Sequence, residues 1–327
     1  MRLLVLGGTQ FLSRTVAADA VARGHEVTCA ARGRSGSVPD GARHVFLDRS
    51  APDWSVLDGE WDAVVDVART PSWVGSALNA LADRIPHWTF VSTISVYADQ
   101  MTPGGSQDTL PLLPAITEDV DQDTPEKYGS SKVGCEQQVQ LRAREWLIIR
   151  PGLIIGPGDP SGRFSYWPER LAEGGEVLAP ESPDRGTQVI DVRDLAAWMV
   201  TCAELGLTGV YDATGPVVRL GQLVDEVVAA VGGKANVVWA SAEFLLSRDV
   251  TYWSGPRSLP LWLPEEARGM TSHDVSAAAA AGLSTRPIAE TAADTLAWLS
   301  SEEDSPSTGL SRAEEQDLLD DWHTINA

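Results

Sequence analysis

The chain has 327 residues, which is too long for a single small hydrophobic core. This length is typical of a large α/β domain that carries a smaller lobe. With 46 acidic against 25 basic residues its formal net charge is −21. Such a surface repels polyanions, so no nucleic acid or anionic membrane is expected as a partner. No apolar run approaches the roughly 18 residues of a membrane span. The three cysteines, Cys29, Cys135 and Cys202, follow no metal-binding spacing. We expect them to be buried, no metal to be bound, and the protein to be cytoplasmic.

Strand and helix signals alternate through the first half of the chain. Short apolar runs predict strands at residues 2–6, 25–30, 43–47, 62–67, 87–92 and 146–150. Helical periodicity predicts helices between them at 11–23, 71–84 and 126–144. This alternation indicates a parallel, doubly wound sheet.

The second half has a looser pattern. Residues 98–125 are rich in Pro, Gly, Asp and Thr and predict a long loop. Helices are predicted at 167–172, 192–203 and 220–231, and short strands near Val177, Val189, Val210 and Val237. Residues 161–300 are expected to form mainly a substrate lobe, with elements around 186–215 returning to the first domain. The acidic tail, 301–327, predicts an amphipathic helix at 310–322, whereas order and disorder remain equally open for 300–308.

A glycine turn connects the first strand to the first helix. Backbone N–H groups at such a turn can approach a pyrophosphate, and the helix N-terminus favours its negative charge. The usual fingerprint continues with glycines at positions 10 and 13, where this chain has Gln10 and Ser13. A tight turn without a ligand is the alternative. The pattern predicts a dinucleotide-binding Rossmann domain over residues 1–160, with cofactor contacts from Gly7, Gly8, Thr9, Gln10 and Phe11.

The residues after the second strand indicate which dinucleotide binds. A carboxylate there would hold the ribose hydroxyls of NAD, whereas arginines accept a 2′-phosphate. Arg32 and Arg34 occupy this place and favour NADP over NAD. The alternative without a function is a solvated basic loop, and NAD remains the alternative cofactor. Asp48, after the third strand, is placed to contact the adenine or to serve as a turn residue.

A tyrosine and a lysine one helical turn apart form the catalytic signal. Tyr128 and Lys132 lie four residues apart on the predicted helix 126–144, so both side chains share one face. A neighbouring ammonium stabilises a phenolate and lets the tyrosine exchange a proton near neutral pH. The fifth strand ends in hydroxyl residues at the expected ligand crevice. Thr93 is the best candidate to hold a substrate oxygen, and Ser92 and Ser95 are the alternatives.

Together these motifs resemble the extended short-chain dehydrogenases/reductases, the NAD-dependent epimerase/dehydratase family. The resemblance rests on Gly7-Gly8-Thr9, Asp48, Thr93 with Val96-Tyr97, Tyr128 with Lys132, the run 150–157 and the run 191–196. It implies that Thr93, Tyr128 and Lys132 are the catalytic triad, that Lys132 also holds the nicotinamide ribose, and that the helix of Tyr128 can form a homodimer. It also implies that Ala68, Ser92 and Pro151 border the cofactor.

Two departures from the family pattern narrow the expected function. A Gly-Gly-Thr turn without its middle glycine resembles an atypical subgroup that includes chloroplast stem-loop RNA-binding proteins. The family's dehydratases carry a Thr-Asp-Glu run after the fifth strand, where this chain has Thr93-Ile94-Ser95, so dehydration is not expected.

An NADP-dependent reductase of a small polar carbonyl compound or alcohol is therefore the main functional prediction. The alternative is an NAD-dependent sugar-nucleotide epimerase, and a non-catalytic nucleotide or RNA binder ranks third. Arginines near the pocket can pair with a carboxylate or phosphate, and aromatic rings can stack on a flat substrate. The predicted substrate contacts are Ser95, Arg163, Tyr166, Trp167 and Arg185.

Overall fold

The computed structural model describes residues 1–302 and 308–327. Its strands are β1 (Arg2–Leu6), β2 (Glu26–Ala31), β3 (Arg43–Phe46), β4 (Ala63–Asp66), β5 (His87–Val91), β6 (Glu145–Pro151), β7 (Leu153–Ile155), β8 (Gly175–Pro180), β9 (Gly186–Thr187), β10 (Val189–Asp191), β11 (Gly209–Ala213), β12 (Val218–Arg219), β13 (Ala235–Ala240), β14 (Thr251–Tyr252) and β15 (Ser258–Leu259). Its α-helices are α1 (Phe11–Ala22), α2 (Pro71–Leu81), α3 (Pro125–Arg142), α4 (Tyr166–Glu173), α5 (Val192–Leu205), α6 (Leu220–Val231), α7 (Ala242–Ser247), α8 (Ser276–Ala280), α9 (Ile288–Leu299) and α10 (Arg312–Asn326).

The main sheet has seven parallel strands in the order β11-β6-β5-β4-β1-β2-β3. The strand order reverses between β1 and β4, so the carboxyl ends of these strands open a crevice. Helices cover both faces: α1 and α5 pack together on one, α2 and α3 on the other. Because both faces are covered, β1, β4 and β5 are almost wholly buried. The predicted Rossmann-type α/β class is confirmed.

The smaller C-terminal lobe has a core of its own. Helices α4, α6 and α9 pack with the parallel pair β8 and β13, around Trp167 and Trp262. Helix α10 adds Leu318 and Leu319 to that core. Helix α5 and strand β11 lie on the main sheet instead, with β11 extending it at the edge.

The predicted elements mostly agree with the structure to within one or two residues at their ends. Helix α6 has the predicted bounds, and strands lie at all four predicted places in the second half. The helix predicted over 71–84 ends earlier, at Leu81. The tail helix, predicted at 310–322, is shifted to Arg312–Asn326 and begins with a capping box between Ser311 and Glu314. Of the open segment 300–308, residues 303–307 lie outside the described residues.

All three cysteines are buried, as predicted, and none forms a disulfide bond; burial raises the pKa of each thiol to about 12. Among residues 1–302 and 308–327, no helix combines the length and apolarity needed to cross a membrane.

Candidate active site

A cavity of about 790 Å³ lies where the carboxyl ends of the main-sheet strands face the lobe. Its sheet side carries eight side chains that matter for chemistry or shape: Phe11, Arg69, Ser92, Thr93, Ser95, Tyr128, Lys132 and Pro151. Its lobe side carries Asp159, Arg163, Gln188, Tyr252, Trp253, Met270 and Thr271. The predicted catalytic triad therefore shares one cavity with residues of the lobe.

The glycine turn lies at one end of this cavity, where α1 begins. Gly8 has φ +97°, and a Cβ added there would lie 2.4 Å from Cys29 Sγ in β2. The hydroxyl of Ser13 accepts a hydrogen bond from the Gly8 N–H at 3.0 Å and donates to the Gln10 carbonyl. Ser13 thus keeps α1 close to the turn, as a glycine would, but occupies one N–H that could otherwise face a phosphate.

Phe11 has φ +38° and contributes its side chain to the cavity wall, whereas the Gln10 side chain is exposed and is not part of the lining. Gln10 therefore does not fill the groove. The free N–H groups at the start of α1 remain beside it.

The predicted adenosine contacts lie outside the cavity, at the carboxyl ends of β2 and β3. Arg32 and Arg34 are exposed, and neither forms an ion pair with a carboxylate of the described residues. Hydrogen bonds from Ser50 lower the pKa of Asp48, and the charges of Arg32 and Arg34 lower it further. The two guanidinium groups and Asp48 therefore form one exposed polar patch.

Two glycines of α3 position the catalytic helix. A Cβ at Gly129 would lie 2.0 Å from the Ser95 carbonyl oxygen, and a Cβ at Gly134 would lie 2.0 Å from the Ile116 carbonyl oxygen. The helix can pack this tightly on the loop after β5 only because both positions lack a side chain. This packing places Tyr128 next to Thr93.

Burial raises the pKa of the Tyr128 phenol, while the Thr93 hydroxyl and the charges of Arg69 and Arg163 lower it. Thr93 also donates to the Ser95 hydroxyl at 3.2 Å and accepts from the Ser95 N–H. From the sequence we expected the cation of Lys132 to stabilise the phenolate. The charges that lower the pKa of Tyr128 in the structure are those of Arg69 and Arg163.

Lys132 is 2% exposed and its ammonium lies beneath the cavity. It donates to the carbonyl oxygens of Ala68, at 2.8 Å, and Val91, at 2.5 Å, and lies 4.4 Å from the Phe90 ring centroid. Desolvation lowers its pKa to about 8. Two of the three ammonium donors are used by these carbonyls, so one remains for a ligand.

The polar groups along one wall of the cavity suit the nicotinamide end of a dinucleotide whose adenosine would lie outside it. The Ser92 hydroxyl lines it and is buried without a hydrogen-bond partner among the described residues. A buried unpartnered hydroxyl is costly unless a ligand satisfies it. Together with the remaining donor of Lys132 and the start of α1, Ser92 provides polar contacts along one wall, and Pro151 is part of that lining.

Three predicted substrate contacts disagree with the structure. Tyr166 and Trp167 are 4% and 0% exposed in the lobe core, and neither lines the cavity. The backbone at Gly309 crosses the Tyr166 ring, and Trp167 donates to the Pro260 carbonyl at 3.2 Å. Arg185 pairs with Glu181 and donates to the Leu263 carbonyl at 2.5 Å, so its donors are used structurally.

Several cavity residues escaped the sequence analysis. Arg69 follows β4, and a basic residue at the carboxyl end of a parallel strand is a signal that could have identified it. Asp159 is 2% exposed; burial raises its pKa, while hydrogen bonds from the Ser161 N–H and hydroxyl, both at 2.8 Å, lower it. Gln188 also lines the cavity, and no local sequence pattern marks it as a site residue.

A buried polar network connects the main sheet to the lobe behind the cavity. Arg150 in β6 forms a bidentate pair with Glu136 in α3 and donates to the Tyr97 hydroxyl at 2.9 Å. Tyr97 donates to Asp212 in β11 at 2.5 Å, and Asp212 lies 3.3 Å from His273 Nδ1. His273 follows Met270 and Thr271, so this network fixes the segment that carries two cavity residues.

The fold and this site define an α/β enzyme family. The family model described as "NAD dependent epimerase/dehydratase family" matches residues 3–211, and the chain belongs to this family. Its members are largely NAD(P)-dependent enzymes.

The sequence relative is named as a stem-loop binding protein, whereas the solved structures with this fold are named as epimerases. The chain is 27% identical over 214 residues to the chloroplast stem-loop binding protein of 41 kDa b of Arabidopsis thaliana. That match covers 60% of this chain and 53% of the relative, about half of its length.

Two solved structures share the fold. The UDP-N-acetylglucosamine 4-epimerase from Bacillus cereus has a TM-score of 0.69 at 18% identity, over 94% of this chain and 99% of that one. The UDP-glucose 4-epimerase of Thermus thermophilus, solved in complex with NAD, has a TM-score of 0.62 at 20% identity, over 92% and 99%.

Proposed function

We propose that the protein is a nicotinamide-dinucleotide-dependent epimerase that inverts a secondary alcohol of a sugar nucleotide through a transient ketone. The observation that carries the proposal is the placement of Tyr128 beside Thr93 in a cavity that lies over the buried Lys132. The sugar-nucleotide epimerases that share the fold support the epimerase in preference to the reductase as the first candidate.

Each residue of the triad has a defined task in this proposal. The Tyr128 phenolate takes the proton of the substrate hydroxyl and later returns it to the oxygen of the ketone. The Thr93 hydroxyl, which donates to Ser95 in the structure, turns its proton to the same oxygen when the substrate binds. Lys132 holds the ribose with its remaining donor. The bound nicotinamide supplies the hydride acceptor and donor.

The test compares the wild-type protein with Tyr128→Phe, which removes the proton carrier but keeps the ring. We expect Tyr128→Phe to lower turnover by at least about a hundredfold while cofactor affinity changes less than threefold. The epimer is detected by NMR after incubation with UDP-glucose or UDP-N-acetylglucosamine, without net change in the reduced-nicotinamide absorbance band. Unchanged turnover in Tyr128→Phe would contradict the assigned role.

An NADP-dependent reductase is the second candidate, and Arg32 and Arg34 favour it. Exposed guanidinium groups after β2 suit a 2′-phosphate, and NADP commonly serves reduction. Fluorescence titration with NADPH and NADH measures the preference. Stoichiometric consumption of NADPH with a ketone substrate would replace the epimerase by the reductase.

Stem-loop binding, which the name of the Arabidopsis relative describes, is supported less well. The net charge of −21 opposes contact with the phosphate backbone of a nucleic acid, and the size and polar lining of the cavity suit a small ligand.

A further inference from the structure

The electrostatics of the cavity differ from those of the whole molecule. On a chain of net charge −21, the cavity lining carries three cationic side chains and one carboxylate: Arg69, Lys132, Arg163 and Asp159. Low-dielectric walls concentrate the field of such groups on a bound ligand. The cavity therefore favours an anion that the rest of the surface repels.

Arg163 is the lobe-side cation, and its guanidinium has no hydrogen-bond or ion-pair partner among the described residues. Three arginines of the described chain are buried, and each has a carboxylate at 2.5 to 2.6 Å: Arg49 with Asp66, Arg150 with Glu136 and Arg170 with Glu315. Arg163 has no carboxylate within salt-bridge distance in the described part of the chain, and its Nε is buried without a hydrogen-bond acceptor there. A guanidinium in such surroundings needs an acceptor.

The surroundings of Arg163 hold it in place without forming an ion pair or a hydrogen bond to its guanidinium in the described part of the chain. Its guanidinium carbon lies 5.1 Å from the Trp253 ring centroid, a stacking geometry that Arg adopts and that leaves its edge free. Trp253 has φ +72°, a left-handed conformation that a non-glycine residue keeps only where its surroundings enforce it. Asp159 directs both carboxylate oxygens to Ser161.

Arg163 is also close to the proposed proton carrier. Burial lowers the pKa of Arg163, while the charges of Asp159 and Tyr128 raise it, and the charge of Arg163 lowers the pKa of Tyr128. An anion at Arg163 would therefore lie near the atoms that react.

We propose that Arg163, stacked on Trp253, binds an anionic group of the substrate, a carboxylate or a phosphate, beside the alcohol that Tyr128 deprotonates. The statement about the alcohol rests on the proposed function, whereas the anion site does not. Combined with the proposed function, the site indicates a sugar nucleotide with an acidic substituent, a carboxylate or a phosphate, next to the reacting carbon.

Saturation-transfer NMR tests the site with three small probes: acetate, methyl phosphate and the neutral acetamide. Each probe is titrated against the full chain, alone and with NADP⁺. We expect one or both anions to bind to the wild type and acetamide not to bind. Comparing the affinities for acetate and methyl phosphate shows whether the site prefers a carboxylate or a phosphate. Removing a charge-assisted contact in Arg163→Met should weaken anion binding by at least about tenfold.

Two further variants complete the test. Arg219→Met removes an exposed lobe arginine outside the cavity and should leave anion binding unchanged, and Arg163→Lys should retain part of it. Equal binding of acetamide and the anions, no anion binding to the wild type, or equal losses in Arg163→Met and Arg219→Met would overturn the proposal. Anion binding without turnover of UDP-sugars would refute the proposed epimerase but leave the anion site standing.

Discussion

At the scale of single residues, burial of the charged Lys132 ammonium lowers the free energy of unfolding by an amount that can be measured. Its pKa falls from the ordinary 10.5 to about 8 because burial desolvates the charge. Between these values the unfolded chain binds more protons than the folded one, so the free energy of unfolding rises with pH. The slope from this group is at most about 1.4 kcal/mol per pH unit.

Urea unfolding of wild type and Lys132→Met across pH 7 to 10.5 measures this effect. We expect the stability of the wild type relative to Lys132→Met to be constant below about pH 8 and to increase between about pH 8 and 10.5. Tyrosines and cysteines titrate in both proteins, so the difference isolates Lys132. A flat difference would mean that the ammonium is solvated.

At the scale of elements, the position of α3 depends on Gly129. In Gly129→Ala the new Cβ would meet the Ser95 carbonyl oxygen at 2.0 Å, so the helix must move away from the loop that carries Thr93. We expect a loss of about 1–3 kcal/mol in unfolding free energy from overpacking, and at least about a tenfold loss in kcat. Gln137→Ala, at an exposed position of the same helix, is the control for helix propensity. Equal kcat in both variants would show that this contact does not position Tyr128.

The sequence predicted the elements of the main sheet better than it predicted the lobe side of the site. Strands such as β4 and β5 are apolar runs that can be recognised locally in the sequence. Because the sheet is parallel, their carboxyl ends lie at the same edge, and this is where Thr93 meets Tyr128. Side chains before α4 give no such information, because their burial depends on distant segments. Arg163 faces the cavity, whereas Tyr166, three residues later, is covered by Gly309. No pattern in the sequence around Tyr166 predicts its contact with Gly309.

At the scale of the whole molecule, the acidic C-terminal segment helps to build the lobe. Helix α10 contributes Leu318 and Leu319 to the same core that contains Trp167, next to the segment that carries Arg163. The sequence predicts an amphipathic helix at 310–322 within this acidic segment, and the structure has one at Arg312–Asn326. The buried stripe of α10 explains why such a segment is ordered: its acidic residues lie mostly on the exposed face, and one of them faces inward.

That inward residue is Glu315, which is 1% exposed and joins α10 to the lobe. Its carboxylate accepts from Arg170 Nε at 2.5 Å and from the Leu178 N–H at 3.0 Å. Glu315→Ala would leave the buried Arg170 charge without this partner, and we expect a loss of about 3–5 kcal/mol in unfolding free energy. Asp317→Ala, at an exposed position of α10, should change it by less than about 0.5 kcal/mol. Urea denaturation measures both, and equal stability of the two variants would show that α10 is held by its apolar stripe alone.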